Sequence, residues 1–322
     1  MALTTVSSDR LATNVKNTNF TDAEKQDLTD DIKPLLGSSG GGNKNKIING
    51  SMIVSQRGTS FAAANNIYTL DRFRIQGSHD GAITVSQSTT SPDGFAKSLK
   101  VDVTTADTSI ASNQYLQINN RVEAQDLQDL AYGTSAAKTI TVSFYVRSNL
   151  TGTYTFAIQQ ADNSSKQVSQ TYTINSANTW ERKTFTFAGD TSGVINDDNG
   201  TGFQIYWNLA IGSQYTTGTS RAAWTANADA DFAAGHTANL LSSTSNEFYL
   251  TGIQLEVSSV VTDFDHSSFT DELRRCQRYY YVVADARDAG STGQFATGFA
   301  YHNGQAEATI HYPDMRTAPS LV

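Results

Sequence analysis

A single cysteine, Cys276, in 322 residues excludes an intramolecular disulfide, so packing or assembly must hold the fold together. Prolines number only 4, against 23 glycines, which excludes a collagen-like or Pro-rich disordered chain. Charged residues are scarce at 17% and sum to −8, the opposite of the basic surface a general nucleic-acid binder presents. No run of about 18 apolar residues exists, so no membrane insertion is expected. Met1–Arg10 lacks the basic and apolar regions of a signal peptide, and the expectation is a soluble protein made in a cytoplasm.

Catalytic and metal-binding signatures are equally sparse. H-E-x-x-H, G-x-S-x-G, the P-loop and a G-x-G-x-x-G set between strand and helix are all missing. His79, His236, His266, His302 and His311 are scattered without ligand spacing. The GSHDG stretch at 77–81 brings Ser, His and Asp side by side, but a relay needs each group positioned separately, so it reads as a turn. NDDNGTG (196–202) and NADADF (227–232) supply oxygen ligands without the late Glu of a calcium loop. They read as surface loops, with calcium as the alternative and no cofactor expected.

What the chain does have is Ser, Thr, Asn, Gln and Gly between short alternating apolar runs. KTITVSFYVR (138–147), TYTFAIQ (153–159), TYTI (171–174), RKTFTFA (182–188) and SLKVDV (98–103) read as strands. FQIYWNLAI (203–211) sets Phe203, Ile205, Trp207, Leu209 and Ile211 on one face and Gln204, Tyr206 and Asn208 on the other. In EFYLTGIQLEV (247–257) the apolar phase slips by one, and Gly252 is the natural site of a β-bulge. Eight to ten strands, interrupted only by a short helical segment at 122–133, predict a mainly all-β fold over residues 46–267, an antiparallel jelly-roll-like β-sandwich.

Ahead of it, TDAEKQDLTDDIKPLL (21–36) reads as a helix with a Thr21/Glu24 capping box and an apolar stripe of Ala23, Leu28, Ile32 and Leu35. GSSGGGN (37–43) opens a flexible linker running to residue 45. An isolated helix of this length is marginal in water, so residues 1–37 are expected to be an anchor covered by another protein.

Behind it, FTDELRRCQRYYYV (269–282) reads as a joint helix over 268–281. Thr270 is the expected cap, and Leu273, Cys276 and Tyr280 form the buried stripe. Arg274, Arg275 and Arg278 are expected to be solvated or paired with acids, and the tyrosines to open a new strand. Residues 282–322 then form a C-terminal β-segment with a hairpin turning at Asn303–Gly304. It is too short to bury a core alone, so the chain either continues or completes itself against other subunits.

INGSMIVSQRGTS (48–60), YTLDRF (68–73), RVEAQDLQDLAYGTSAAKTITVSFYVRS (121–148), LTGIQLEV (250–257) and ELRRCQRYY (272–280) together resemble virion proteins of tailed bacteriophages, nearest to structural or tail-fiber-like proteins of marine cyanobacterial phages. The resemblance implies a non-enzymatic virion component, a fiber or fiber-like adhesion protein. It would be held by its N-terminus to portal, adaptor or tail proteins and assembled as a homotrimer. The alternative is a tailspike-like enzyme degrading host-surface polysaccharide. The sandwich also resembles carbohydrate-binding modules in fold, and a host-surface glycan is the expected ligand. Tyr206, Tyr215 and Trp224 are the candidates to stack on sugar: Tyr206 points away from the apolar face, and the other two fall in a polar loop. The competing expectation for each is half-buried packing.

Overall fold

The computed structural model describes residues 44–63, 65–162, 165–283, 297–302 and 305–320. The N-terminal helix with Ala23, Leu28, Ile32 and Leu35, the GSSGGGN linker and the Asn303–Gly304 turn lie outside these residues.

Two antiparallel sheets face each other, with strands numbered in chain order. The first runs β1 (Ser60–Ala63), β4 (Ala82–Ser88), β5 (Ser98–Thr105), β13 (Glu247–Glu256), β7 (Ile140–Ser148) and β10 (Glu181–Phe187). The second runs β12 (Arg221–Ala226), β9 (Lys166–Ile174), β8 (Gly152–Gln160), β11 (Thr201–Ile211), β6 (Tyr115–Glu123), β3 (Phe73–Ser78) and β2 (Ile67–Tyr68). This is the expected jelly-roll-like sandwich, with thirteen strands in place of eight to ten. The difference lies largely in β1, β2 and β12, edge strands too short or too irregular to show alternation. GSHDG ends β3 with Gly77 and Ser78 and makes the β3–β4 connection with residues 79–81.

Alternation turns one side of every strand inward. Phe156 of β8 stacks on Phe185 of β10 at 5.2 Å, and Trp207 of β11 meets Phe144 of β7 at 5.7 Å. Gly252 makes the expected bulge: its φ of 61° sits where register slips between Thr251 and Gln254. Leu250 and Ile253 consequently both reach the core. A second bulge, between Asn208 and Ala210 of β11, was not expected. It turns Ile211 off the core side and onto the outer face, beside Tyr206. The 122–133 segment contains a 3-10 helix, Ala124–Leu130, which buries Ala124, Leu127 and Leu130.

Two α-helices follow: a single turn, α1 (Asp229–Phe232), and the joint helix α2 (Phe269–Gln277). The cap of α2 is Ser268, two residues before Thr270; its hydroxyl accepts from the Asp271 amide at 3.1 Å. Cys276 is fully buried against Ile48 and Val54, and burial pushes its thiol pKa up. Tyr279, not Tyr280, completes that cluster, while Tyr280 lies under the Arg57 guanidinium at 3.7 Å. Two of the three arginines pair with acids, Arg275 with Glu272 at 2.8 Å and Arg278 with Glu123 through two bonds of 3.0 and 2.9 Å, and Arg274 is exposed.

Tyr279–Val283 is not a strand, and neither are residues 310–320. Their polar groups are engaged elsewhere: the Tyr280 carbonyl accepts from Gln56, and the Arg278 carbonyl accepts from the Arg316 amide at 2.9 Å. The hairpin itself is present as β14 (Thr297–His302) paired with β15 (Gln305–Thr309).

Buried carboxylates make the sandwich acid-sensitive. Burial alone would raise the pKa of Asp190, but hydrogen bonds from Lys166, the Ser192 amide and Gln160 pull it down to about 2. A depressed folded pKa contributes stability above the unfolded value near 4 and loses it as pH falls toward 2. The denaturant midpoint should therefore drop across that window, with Asp190 contributing on the order of 2 kcal/mol. Asp190→Asn should flatten part of this slope; an equal slope in wild type and variant would refute the assignment.

Candidate functional site

The outward side chains of the second sheet make a polar lattice. Register places Tyr68, Arg74, Asn119 and Tyr206 in one row across β2, β3, β6 and β11. Gln76, Gln117 and Asn208 form the row on one side of it, and Arg121, Gln204 and Gln159 the row on the other. Strands lie about 4.8 Å apart, so amide, guanidinium and phenol groups repeat at close intervals.

Part of this face is covered. The segment between β11 and β13 folds back over it, and Phe232 of α1 packs edge-on against Tyr206 at 5.1 Å, with Ala157 and Ala233 beside them. Tyr206 is left 7% exposed, its hydroxyl donating to Gln204 Oε1 at 3.0 Å, and burial pushes its pKa up to about 12. His236, within the same segment, is buried beneath it against β8, hydrogen-bonded to Thr155 and the Ala238 carbonyl, and burial lowers its pKa to about 4. Tyr215, in a 3-10 turn (Ser213–Tyr215), stands edge-on to Tyr115 at 5.9 Å, both half-buried. Beyond this cover the face lies between Tyr115 and Tyr215 on one side and Tyr68 on the other. Its floor is Arg74, Gln76, Gln117, Asn119, Arg121 and Gln204.

The floor is poorly satisfied. Arg74 donates to Asn119 Oδ1 at 3.3 Å, but its Nε, the Arg121 Nε and the Gln76 Oε1 have no hydrogen-bond partner among the described residues. Burial, and then the neighbouring Arg121 charge, lower the Arg74 pKa. Neither arginine has a carboxylate partner among the described residues. Buried polar atoms in this condition are costly unless water or a ligand meets them.

Trp224 is elsewhere. It lies in β12, stacks on Phe203 at 5.5 Å, meets Tyr132 at 5.7 Å and donates from Nε1 to the Ala188 carbonyl at 3.0 Å. Phe203 is a core residue, so Trp224 plugs one margin of the core. The structure thus joins Tyr206 and Tyr215 in one cluster and leaves Trp224 out of it, and the polar loop expected around the latter two is a 3-10 turn and a strand. Arg74, Asn119, Arg121, Gln204 and Tyr68 were not singled out by sequence. The period-2 polar set Gln117, Asn119 and Arg121 was a usable signal, masked by the adjacent buried Asn120.

A cavity of about 890 Å³ adjoins this face, sharing Tyr68 and Arg121 with it. It opens between the sheet edge, the end of α2 and residues 279–283 and 310–320. Five arginines line it, Arg57, Arg72, Arg121, Arg278 and Arg316, with the carboxylates of Asp71 and Glu123. Arg278 is tied to Glu123, Arg57 lies 3.9 Å from Asp71, and Arg72 stacks over the Tyr279 ring at 3.4 Å.

The acidic loops are internally engaged: Asp198 accepts from the Gly200 amide at 2.7 Å, and Asp231 from the Thr219 amide and from Arg221 at 3.0 Å. Among the described residues no group of three His, Cys, Asp or Glu side chains is placed to hold a metal ion.

No family model matches the chain, and no curated protein is similar to it in sequence. Among solved structures it is similar to the enzymatically active domain of bacteriophage CBA120 tailspike protein 4, at TM-score 0.36 and 10% identity over 67% of this chain and 22% of that one. It is also similar to a family 11 carbohydrate-binding module of a Clostridium thermocellum cellulosomal cellulase (TM-score 0.32, 9% identity, 62% of this chain, 95% of that one). A xylan-binding domain of carbohydrate-binding-module family 22 gives TM-score 0.31 and 13% identity over 64% and 99% of the two chains. Likeness at this level transfers no ligand or activity.

Proposed function

We propose that this protein is a non-enzymatic, fiber-like component of a tailed-phage virion that holds a host-surface glycan on the outer face of its second sheet. The observation that carries the glycan reading is the floor itself, where half-buried Arg74, Gln76 and Arg121, set between tyrosine rings, keep hydrogen-bonding capacity that no described residue meets. Sugars present flat C–H faces that stack on such rings and hydroxyls that both donate and accept. Each copy would bind weakly, and several on one particle would bind firmly. The virion role is supported by the sequence blocks that resemble phage structural proteins, and residues 1–37 are the proposed attachment segment.

A glycan array probed with the full-length protein tests the site. Tyr115→Ala should weaken the binding of any hit by about fivefold, which matches the roughly 1 kcal/mol of one aromatic contact. Absence of hits, or unchanged affinity in the variant, would overturn it. The floor offers amides, guanidiniums and phenols, whereas glycoside hydrolysis takes two carboxyl groups about 5–10 Å apart. Bound polysaccharide should therefore stay intact, and steady release of reducing ends would move the reading to a tailspike-like enzyme. Deleting residues 1–37 should leave a folded sandwich that no longer joins particles; incorporation at normal copy number would place the anchor elsewhere.

A further inference from the structure

We infer that the glycan is acidic, and that its carboxylate or sulfate groups are read by Arg121 and Arg74 at the boundary between the sheet face and the arginine-lined cavity. The inference rests on the glycan reading above and adds the chemical class of the ligand.

The chain carries a net charge of −8, yet this corner collects Arg57, Arg72, Arg74, Arg121, Arg278 and Arg316 against the carboxylates of Asp71 and Glu123. Two of the six are taken up: Arg278 by Glu123 and Arg57 by Asp71. The other four make no ion pair among the described residues, although Arg72 adds its charge to the field at Glu123. Arg72 donates to the Arg121 carbonyl and stacks on Tyr279; Arg316 donates to the Asn199 carbonyl at 2.8 Å; Arg74 donates to the Asn119 amide oxygen. Arg121 has an Nε with no partner among the described residues.

Packing like charges together in a partly desolvated place is unfavourable unless an anion sits between them. A guanidinium fork matches a carboxylate or sulfate through two parallel bonds, which neutral hydroxyls reproduce poorly. Position supports the same ligand. Arg74 and Arg121 flank Asn119 on the floor, and Arg121 also lines the cavity, so a sugar lying over the Tyr68–Arg74 end of that row, clear of the Phe232 cover, presents a ring substituent to both. A neutral polymer would cover these guanidiniums without pairing them, and a site built for a charged partner discriminates against a ligand lacking it.

Full-length protein should be titrated with polygalacturonate and with its fully methyl-esterified form, at low and moderate salt, with duplex DNA as a polyanion control. The expected result is acid bound at least tenfold more tightly than ester, a preference that shrinks with added salt, and DNA bound more weakly than either. In Arg121→Gln and Arg74→Gln the acid-to-ester ratio should fall toward one. Arg121→Lys, which keeps the charge but loses the fork, should give an intermediate ratio, and matching thermal melts check that each variant is folded. Equal affinity for acid and ester in the wild type would overturn the inference and leave the glycan reading standing. Binding of neither would remove both, and DNA binding as tight as polygalacturonate would reduce the patch to a general anion attractor.

Discussion

Phe156→Ala should destabilise the sandwich by about 3–5 kcal/mol, the upper range for deleting a core aromatic. The ring is fully buried and lies 5.2 Å from Phe185, 5.4 Å from Phe144 and 5.5 Å from Trp207. These neighbours come from strands of both sheets, so the deletion opens a void that neither sheet can close without breaking ladder hydrogen bonds. Stiff walls keep the cavity open and the cost high. The melting temperature should fall by roughly 6–15 °C, and Phe156→Leu, which retains most of the volume, should lose far less. A loss below about 1 kcal/mol for the alanine variant would mean that the sheets collapse onto the gap and that the core is softer than its ring packing implies.

Arg278→Ala should detach the end of the joint helix and the C-terminal segment while the sandwich stays folded. Glu123 is 3% exposed and receives two bonds from this one guanidinium. Burial alone would raise its pKa, but hydrogen bonding to Arg278 holds it low, so removal of the arginine leaves a buried charge without its counterion. Losing one partner of a buried pair costs about 3–5 kcal/mol. The Arg278 side chain is 33% exposed, and solvent screening brings the expectation down to about 2–3 kcal/mol. Amide exchange at Tyr279, Tyr280 and Arg316 should accelerate, because their N–H groups bond to Cys276 and Arg278 carbonyls at the helix end. Arg278→Lys should rescue only part of this, since an ammonium cannot supply two parallel bonds. Unchanged exchange at those amides would show that the joint is held by Cys276 and Tyr279 packing alone.

The joint marks how far local pattern reaches. Its existence, its buried Cys276 and its acid-paired arginines follow from helical spacing and charge placement. Its cap and its last buried tyrosine do not, because Ser268, Thr270, Tyr279 and Tyr280 are chemically close alternatives. Helix geometry at the terminus chooses between them. The strand expected from Tyr279 onward failed for a related reason: β-forming side chains make a strand only when a ladder partner is present, and here Gln56 and Arg316 occupy the main-chain groups.

By itself the sequence determined the class of fold, the core side of most strands and the bulge at Gly252, since period-2 alternation and one misplaced glycine are local properties of the chain. Tertiary structure decided the candidate site. Tyr206, Arg74, Arg121 and Asn119 come from strands far apart in the chain, and only strand order and register put them in neighbouring rows. The fold also decided which tyrosines remain accessible, because the segment carrying Phe232 covers Tyr206 and leaves Tyr68, Tyr115 and Tyr215 half-exposed. Alternation tells which side chains leave the core; it carries no information about what then lies on top of them.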